Sequence, residues 1–434
     1  MYSEWWSDFV SPKVGIVRAL SPQGRGNDEP VPPYLHTATL SNFDFRTADK
    51  TERIAAGKGR TEAEAISSAI AEAIERYCAY QWNPLRTFTA KWEAVRTAAI
   101  SPAECVLYAD TQYQAEDWRC VPWREDQDVS WIEGVALPDG TPVALPAGLV
   151  YLVTPPPRPE DFFVPASSNG LAAGPSLASA VLGGLCELME RDALLITWMN
   201  RLPAREIDLE RAGPAAAQIA NHYARLSVEV RAFLLPSDLP ASVMMAVSFD
   251  SDPGRPAQVI GMGCHLDPEV AVLKALFEMC QGRPSEAKRF ADKPPQGRLK
   301  SYEDVHTLDD HSAFASQRER RHEFEFLWAR GGKVGVEELP NPSTGEGDRD
   351  LDHVARALSA LDSRVAYVDL TLPDVAPSGI HVVRTIATGL QPVHFGFGTE
   401  RLGGRRLFEV PQRLGFADRV RTVADLNPCP HPLA

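Results

Sequence analysis

Across residues 61–76, 176–196 and 267–283, small and apolar side chains recur at the three- and four-residue spacing of a helix, and each stretch carries an acid at the same depth. Thr61, Ser176 and Asp267 are of the types that cap a helix N-terminus, Glu64 offers a capping box with Thr61, and Pro268 stands in the favoured first position. From those caps, Thr61 to Glu72, Ser176 to Glu187 and Asp267 to Glu278 each span 11 positions. A second polar group follows three residues on, as Glu75, Glu190 and Gln281, and then an arginine, as Arg76, Arg191 and Arg283. Glycines precede every helix: Gly57 and Gly59, Gly170 and Gly174, Gly261 and Gly263. Apolar runs at 34–40, 228–235 and 241–247 predict strands, so the pattern gives a mixed α/β fold. Prolines at 155–157 mark a rigid loop, and the polar stretch from Pro284 to Arg321 is predicted as loops with an exposed helix.

Any one of these helices reads most simply as a solvated face with an i,i+4 ion pair such as Glu72/Arg76 or Glu187/Arg191. Three copies at equal offsets do not. The second helix is too apolar for a surface element, and its Gly183-Gly184 pair predicts close approach by another backbone or a ligand. Carboxylates embedded in such helices need cations to offset their desolvation, and without His or Cys at ligand spacing beside them they call for a hard, oxygen-seeking ion, Mg2+ being the natural one. Mg2+ held by a few carboxylates completes its shell with water and phosphate, which points to a nucleotide. Yet GxxxxGK[ST] and GxGxxG are absent, which argues against a P-loop or Rossmann domain, and so are HExxH and GxSxG.

Together these segments resemble the YcaO-domain family: Gly57-Lys58-Gly59-Arg60-Thr61 leading to Ser68, Glu72, Glu75 and Arg76; Ser168-Asn169-Gly170 leading to Glu187, Glu190 and Arg191; then Glu278, Gln281 and Arg283. The resemblance runs in order from about Gly57 to the C-terminus and implies an α/β ATP-binding fold of several subdomains. It implies that Glu72, Glu75, Glu187, Glu190 and Glu278 face Mg2+, while Lys58, Ser68, Arg76, Asn169, Arg191, Gln281 and Arg283 contact ATP. The Pro428-x-Pro430-x-Pro432 tail resembles that of azoline-forming members, in which it packs into the catalytic region, although Leu433 and Ala434 extend past the last proline. His394 and His431 are candidate bases near these family-like segments, and Arg401, Arg405 and Arg406 could meet phosphate or serve as surface charges. The implied reaction is ATP-dependent cyclodehydration: a Cys, Ser or Thr side chain of a ribosomally made precursor peptide attacks the preceding carbonyl. ATP phosphorylates the resulting oxyanion, and phosphate leaves as the azoline closes. Thioamide or amidine formation and a noncatalytic ATP-binding scaffold are the competing readings. The resemblance further implies a homodimer and a separate leader-binding partner akin to ubiquitin-activating enzymes. On this reading residues 1–55 are an N-terminal segment belonging to the fold or facing a partner, 56–434 the catalytic domain, and 426–434 its tail.

At 434 residues, with 44% hydrophobic and 24% charged side chains, the chain has an ordinary globular composition. A net charge of −14 argues against nucleic-acid or anionic-membrane partners, and the acidic start of the chain lacks the positive region of a signal peptide, so a cytoplasmic protein is expected. Seven cysteines with no CxxC give neither a disulfide framework nor a zinc ribbon.

Overall fold

The structure is a computed structural model that describes residues 5–26, 28–41, 53–116, 118–292, 299–329 and 332–433; residues 1–4 at the acidic start, part of the polar stretch at 293–298, and Ala434 lie outside them. Three strand-to-helix units organise it, each with a connection of two residues. Strand Ile54–Gly59 leads to helix Glu62–Ala79, strand Leu171–Gly174 to helix Leu177–Met199, and strand Gln258–His265 to helix Pro268–Asp292. All of the glycines that precede the helices except Gly170, which sits in the turn before its strand, therefore lie on strands, and the reason is close packing. A Cβ on Gly57 would stand 2.1 Å from the carbonyl oxygen of Ala65, one on Gly261 2.3 Å from that of Ala275, and one on Gly174 2.7 Å from the nitrogen of Ala180. Each helix thus rests on its own strand at backbone distance, which only glycine against alanine permits.

The caps form largely as the sequence predicts. Thr61 Oγ1 accepts from the Glu64 amide at 3.2 Å, but the Glu64 carboxylate accepts from Arg60 N–H rather than closing the box on Thr61. Ser176 forms a box with Ser179, and Asp267 Oδ1 accepts from Glu269 N–H at 2.9 Å. The third helix departs from expectation, because it continues through Pro284 to Asp292. An interior proline costs a helix about 3 kcal/mol. Here tertiary anchors offset that cost: Arg283 is buried, and the buried Glu286 accepts from Arg289 and, at 2.8 Å, from Ser312.

The expected strands at Tyr34–Leu40, Val228–Leu234 and Ser242–Asp250 are present. Tyr34–Leu40 pairs antiparallel with both Val17–Pro22 and Ile54–Gly59, so two N-terminal strands build a three-stranded sheet with the first unit. A five-stranded sheet runs in the order Gln258–His265, Ser242–Asp250, Val228–Leu234, Arg205–Ile207, Lys333–Val334. A six-stranded sheet runs Thr87–Ala90, Val129–Leu137, Val365–Asp369, His381–Ala387, Leu171–Gly174, with Pro142–Pro146 also paired to Val129–Leu137. The Leu177–Met199 helix packs against the last two strands of the six-stranded sheet on one side and against Gln258–His265 and Ser242–Asp250 on the other. Leu185, Met189, Leu194 and Trp198 are buried there with Val243, Met245 and Val247, which makes this helix the centre of the largest apolar cluster.

The two adjacent glycines of that helix differ. A Cβ on Gly184 would meet Thr385 Oγ1 at 2.4 Å and the Gly170 carbonyl at 2.7 Å, whereas one on Gly183 would meet only Ala172 Cβ, at an ordinary 3.6 Å. Gly184→Ala is therefore expected to destabilise by about 1–3 kcal/mol through forced backbone movement. Gly183→Ala is expected to be neutral or stabilising by up to ~1 kcal/mol. Urea unfolding midpoints of the two variants decide this, and equal shifts would contradict it.

The proline-rich tail is a packed element. Asn427 N–H donates to the Met199 carbonyl at 2.6 Å, Trp198 Nε1 donates to the Cys429 carbonyl at 2.9 Å, and Leu433 is buried in the same apolar cluster. Among the described residues, no helix is long and apolar enough to cross a membrane.

Candidate functional site

The glutamate at the 11-residue offset plays the same part in all three units. Glu72 accepts the amide of Ala56 at 3.1 Å, Glu187 that of Gly170 at 3.2 Å, and Glu278 that of Met262 at 3.4 Å, each reaching back to the glycine-bearing segment of its own unit. The equal sequence offset is thus an equal spatial offset. A cation braces each one. Arg76 Nη2 meets Glu72 at 2.6 Å while its Nη1 donates to the Ile54 carbonyl, Arg191 Nη2 meets Glu187 at 3.5 Å, and Lys58 Nζ meets Glu278 at 2.8 Å.

Three residues on, Glu75 and Glu190 stand differently. Burial pushes the Glu75 carboxyl up to about 8, with the negative charges of Glu187 and Glu72 adding to it and Arg76 and Arg384 only partly opposing. Glu190 is pushed up to about 7, again by burial, with Glu278 and Glu187 reinforcing and Arg191, 3.1 Å away, opposing. Burial also raises Glu187, against Arg191 and the Gly170 amide. Burial would raise Glu278 as well, yet Lys58 and Arg191 together hold it below the ordinary carboxylate range. Glu187 therefore belongs to two groups of like charge: one with Glu72 and Glu75, the other with Glu190 and Glu278.

The other expected site residues divide. The Asn169 side chain is buried with Nδ2 lacking a protein partner, and Gln281 Nε2 is likewise without one. Two inward N–H donors with nothing to donate to beside a group of acids suit phosphate oxygens. Ser68 is exposed, one turn before Glu72. Arg283 is not brought to the acids: its guanidinium is taken up by Glu29, Ser248 and Asp250 and lies 4.8 Å from the Tyr223 ring centre. Lys58 holds that position against Glu278 instead.

Arg406 bridges Asp192 and Asp238 at 2.7 Å each, which fixes the second helix, and Arg401 is buried beside Tyr108 and Cys120; neither is the surface charge that the sequence left open. His394 and His431 are both buried, and burial keeps both imidazoles neutral. Arg191 is among the charges acting on His431, which brings the tail to the edge of the acid cluster. Pro430 and Pro432 are buried and Pro428 is exposed.

Arg384 is the residue that sequence reasoning missed. Buried in strand His381–Ala387, it donates from Nε to the Val150 carbonyl at 2.8 Å, from Nη2 to Ser167 at 2.7 Å, and from Nη1 to Asn169. Burial lowers it to about 10, while Glu187 and Glu75 draw it back up. It shapes the 167–170 loop and supplies positive charge to both acid groups. A lone arginine between Val383 and Thr385 in a strand rich in β-branched residues was its only trace in the sequence.

The residues present fit Mg2+ and a nucleotide triphosphate. Among the described residues no three of these carboxylates offer oxygens within 4.8 Å of one another. That spacing suits ions that take one or two carboxylates each and fill the rest of their shell with water and phosphate, rather than an all-protein cage. The raised Glu75 and Glu190 mark where positive charge is wanted.

Comparison with known proteins agrees. The profile of the family described as YcaO cyclodehydratase, ATP- and Mg2+-binding, matches residues 56–391. An uncharacterised protein of Methanothermobacter thermautotrophicus is 30% identical over 364 residues, 82% of this chain and 86% of that protein. Among solved structures, a heterocyclase in complex with substrate and cofactor superposes with a TM-score of 0.82 at 25% identity; the alignment covers 99% of this chain and 56% of the heterocyclase, so this chain spans just over half that protein's length. YcaO from Methanopyrus kandleri bound with AMPPCP and Mg2+ gives a TM-score of 0.62 at 25% identity, covering 85% of this chain and 86% of that one. Three acid-bearing units arranged for Mg2+ and ATP, under a profile that spans most of the sequence, place the chain in the YcaO family of ATP- and Mg2+-binding proteins.

Proposed function

We propose that this protein is an ATP- and Mg2+-dependent cyclodehydratase that converts Cys, Ser or Thr residues of a ribosomally made peptide to thiazolines or oxazolines. The observation that carries the reading is the pair of like-charged groups sharing Glu187, with the unpartnered donors of Asn169 and Gln281 beside them. One or two carboxylates from Glu72, Glu75 and Glu187 would bind one Mg2+ and one or two from Glu187, Glu190 and Glu278 a second, the remaining acids lending negative charge nearby, and the ions would neutralise charge on the transferring phosphoryl group. Lys58, Arg76 and Arg191 brace the acids. Asn169 and Gln281 would donate to phosphate oxygens, and Ser68 lies within the same helix as the first acid pair. Arg384 is a positioning residue, since its hydrogen bonds hold the carbonyls of the loop that carries Asn169.

An amide oxygen is a poor leaving group, and its phosphorylation makes it a good one; what remains for the protein is positioning and charge stabilisation. The packed tail supports an azoline-forming activity, with Pro430 and Pro432 holding His431 against its neighbours and Pro428 at the exposed entry. Delivery of the peptide by a separate leader-binding protein, and action as a homodimer in the cytoplasm, complete the proposal.

The test joins peptide mass with phosphate release, using the protein, ATP, Mg2+, a leader-binding partner and a Cys/Ser/Thr-rich precursor peptide. Loss of about 18 Da per site with matching phosphate is expected. A mass gain from exchange of oxygen for sulfur would replace the reading with thioamidation. Peptide binding without ATP turnover would replace it with a scaffold.

A further inference from the structure

Beside the acid cluster but not part of it, the chain brings together three histidines that the proposed reaction does not use as ligands. His311 comes from the Leu308–Ala315 helix, His394 from the segment after strand His381–Ala387, and His431 from the tail. All are buried, at 0%, 3% and 1% exposure, and one ring nitrogen from each lies within 4.8 Å of the others.

Hydrogen bonds settle which nitrogen is free in two of the rings. His311 Nδ1 meets the His431 carbonyl at 2.8 Å, and His431 Nε2 meets the His394 carbonyl at 3.0 Å; a carbonyl only accepts, so both of those nitrogens carry the proton. His394 Nε2 faces Glu400 Oε1 at 3.9 Å. The opposite nitrogens, His311 Nε2, His394 Nδ1 and His431 Nδ1, are buried without any partner. In His311 and His431 the distal N–H is turned to a backbone carbonyl and the other lone pair is kept open, as in a metal-bound imidazole.

Three ring nitrogens buried together without a partner, two of them acceptors, are costly. One water can donate to only two of them. Protonating a ring would satisfy another, but burial opposes it, pushing His311 down to about 4 and the other two well below the ordinary imidazole range. A cation satisfies all three together.

We propose that His311, His394 and His431 form a binding site for a divalent d-block cation such as Zn2+, separate from the carboxylate site and pinning the C-terminal tail to the fold. Imidazole nitrogen selects such ions over Mg2+, which prefers oxygen. His311 and His431 are stacked with centroids 3.9 Å apart at 12°, and His394 stands at 80° to His431. Binding would splay the stacked pair and bring the nitrogens to the separation of about 3.3 Å that two Zn–N bonds subtend at a tetrahedral centre. The fourth position would be left to water or another ligand.

The test uses the full-length protein, stripped with chelator and titrated with Co2+ under excess Mg2+, which keeps the acids occupied by the harder ion. One equivalent per chain is expected, with the visible d–d bands of a nitrogen-bound four- or five-coordinate ion. Zn2+ should displace it and increase the protease resistance of the tail. His311→Asn and His394→Asn, checked for folding by circular dichroism, should each weaken Co2+ binding about a hundredfold or more. The wild-type titration decides the matter even if both variants misfold. No stoichiometric uptake by folded wild-type protein would overturn the proposal. So would a thiolate charge-transfer band, which would assign the ion to the buried Cys186 and Cys264, or undiminished binding in the folded variants. The readout is metal binding, so it stands or falls apart from the cyclodehydratase reading.

Discussion

Glu187→Gln is expected to lower ATP-dependent peptide modification by about a thousandfold, equivalent to about 4 kcal/mol of lost transition-state stabilisation. Glu187 is the acid common to both like-charged groups, so one substitution removes a negative charge from each proposed Mg2+ position. The change is close to isosteric, and an amide oxygen can still accept the Gly170 N–H that the carboxylate accepts at 3.2 Å. The fold should therefore survive. Because Glu187 helps to raise both Glu75 and Glu190, its neutralisation relieves repulsion, and the metal-free variant is expected to melt at or above the wild-type temperature. Loss of phosphate release and product with an unchanged or raised melting temperature is the anticipated pair of results. Wild-type turnover would remove the acid cluster from the reaction, and a collapsed fold would show that Glu187 serves structure first.

The second large effect is a dependence of stability on pH that Mg2+ reverses. Glu75 titrates at about 8 in the folded protein against an ordinary value of 4.5, and Glu190 at about 7. Between roughly pH 4.5 and 8 the native state thus holds protons that the unfolded chain has released, so these groups make stability fall as pH rises through that window. Below it both states are protonated and the penalty is absent; above it the penalty is complete. His311 works the other way, since its depressed value of about 4 costs stability as pH falls below 6.5. Glu75→Gln isolates the carboxyl contribution. Melting temperatures from pH 5 to 8 without metal should fall less steeply in this variant than in wild type, and Mg2+ with a nonhydrolysable ATP analogue should stabilise wild type more at pH 8 than at pH 5, because only ionised carboxylates bind the ion. Identical slopes in variant and wild type would contradict the burial and crowding of Glu75.

Much of the site was legible because its chemistry is local in sequence. A cap, a glycine-bearing segment and an acid at a constant helical offset are set by short-range geometry, so their recurrence predicted three equivalent units, and the three equivalent glutamate-to-backbone hydrogen bonds follow from it. Where a longer-range contact competes with a local rule, the sequence reading fails. Pro284 should have ended the third helix, but Arg283 and Glu286 are held from outside it by Glu29, Asp250 and Ser312. The same contacts turn Arg283 away from the acids.

The sequence by itself determined the family, the three capped helices and the acids they carry, because periodicity, capping and residue type act within about a dozen residues. Only the tertiary structure decided which acids are braced and which are pushed up by burial, that Lys58 rather than Arg283 serves Glu278, that Arg384 holds the 167–170 loop, and that the tail carries His431 to His311 and His394. Each of those depends on burial and on charges brought together from distant parts of the chain, and desolvation and Coulomb energy are properties of the folded arrangement, not of sequence spacing.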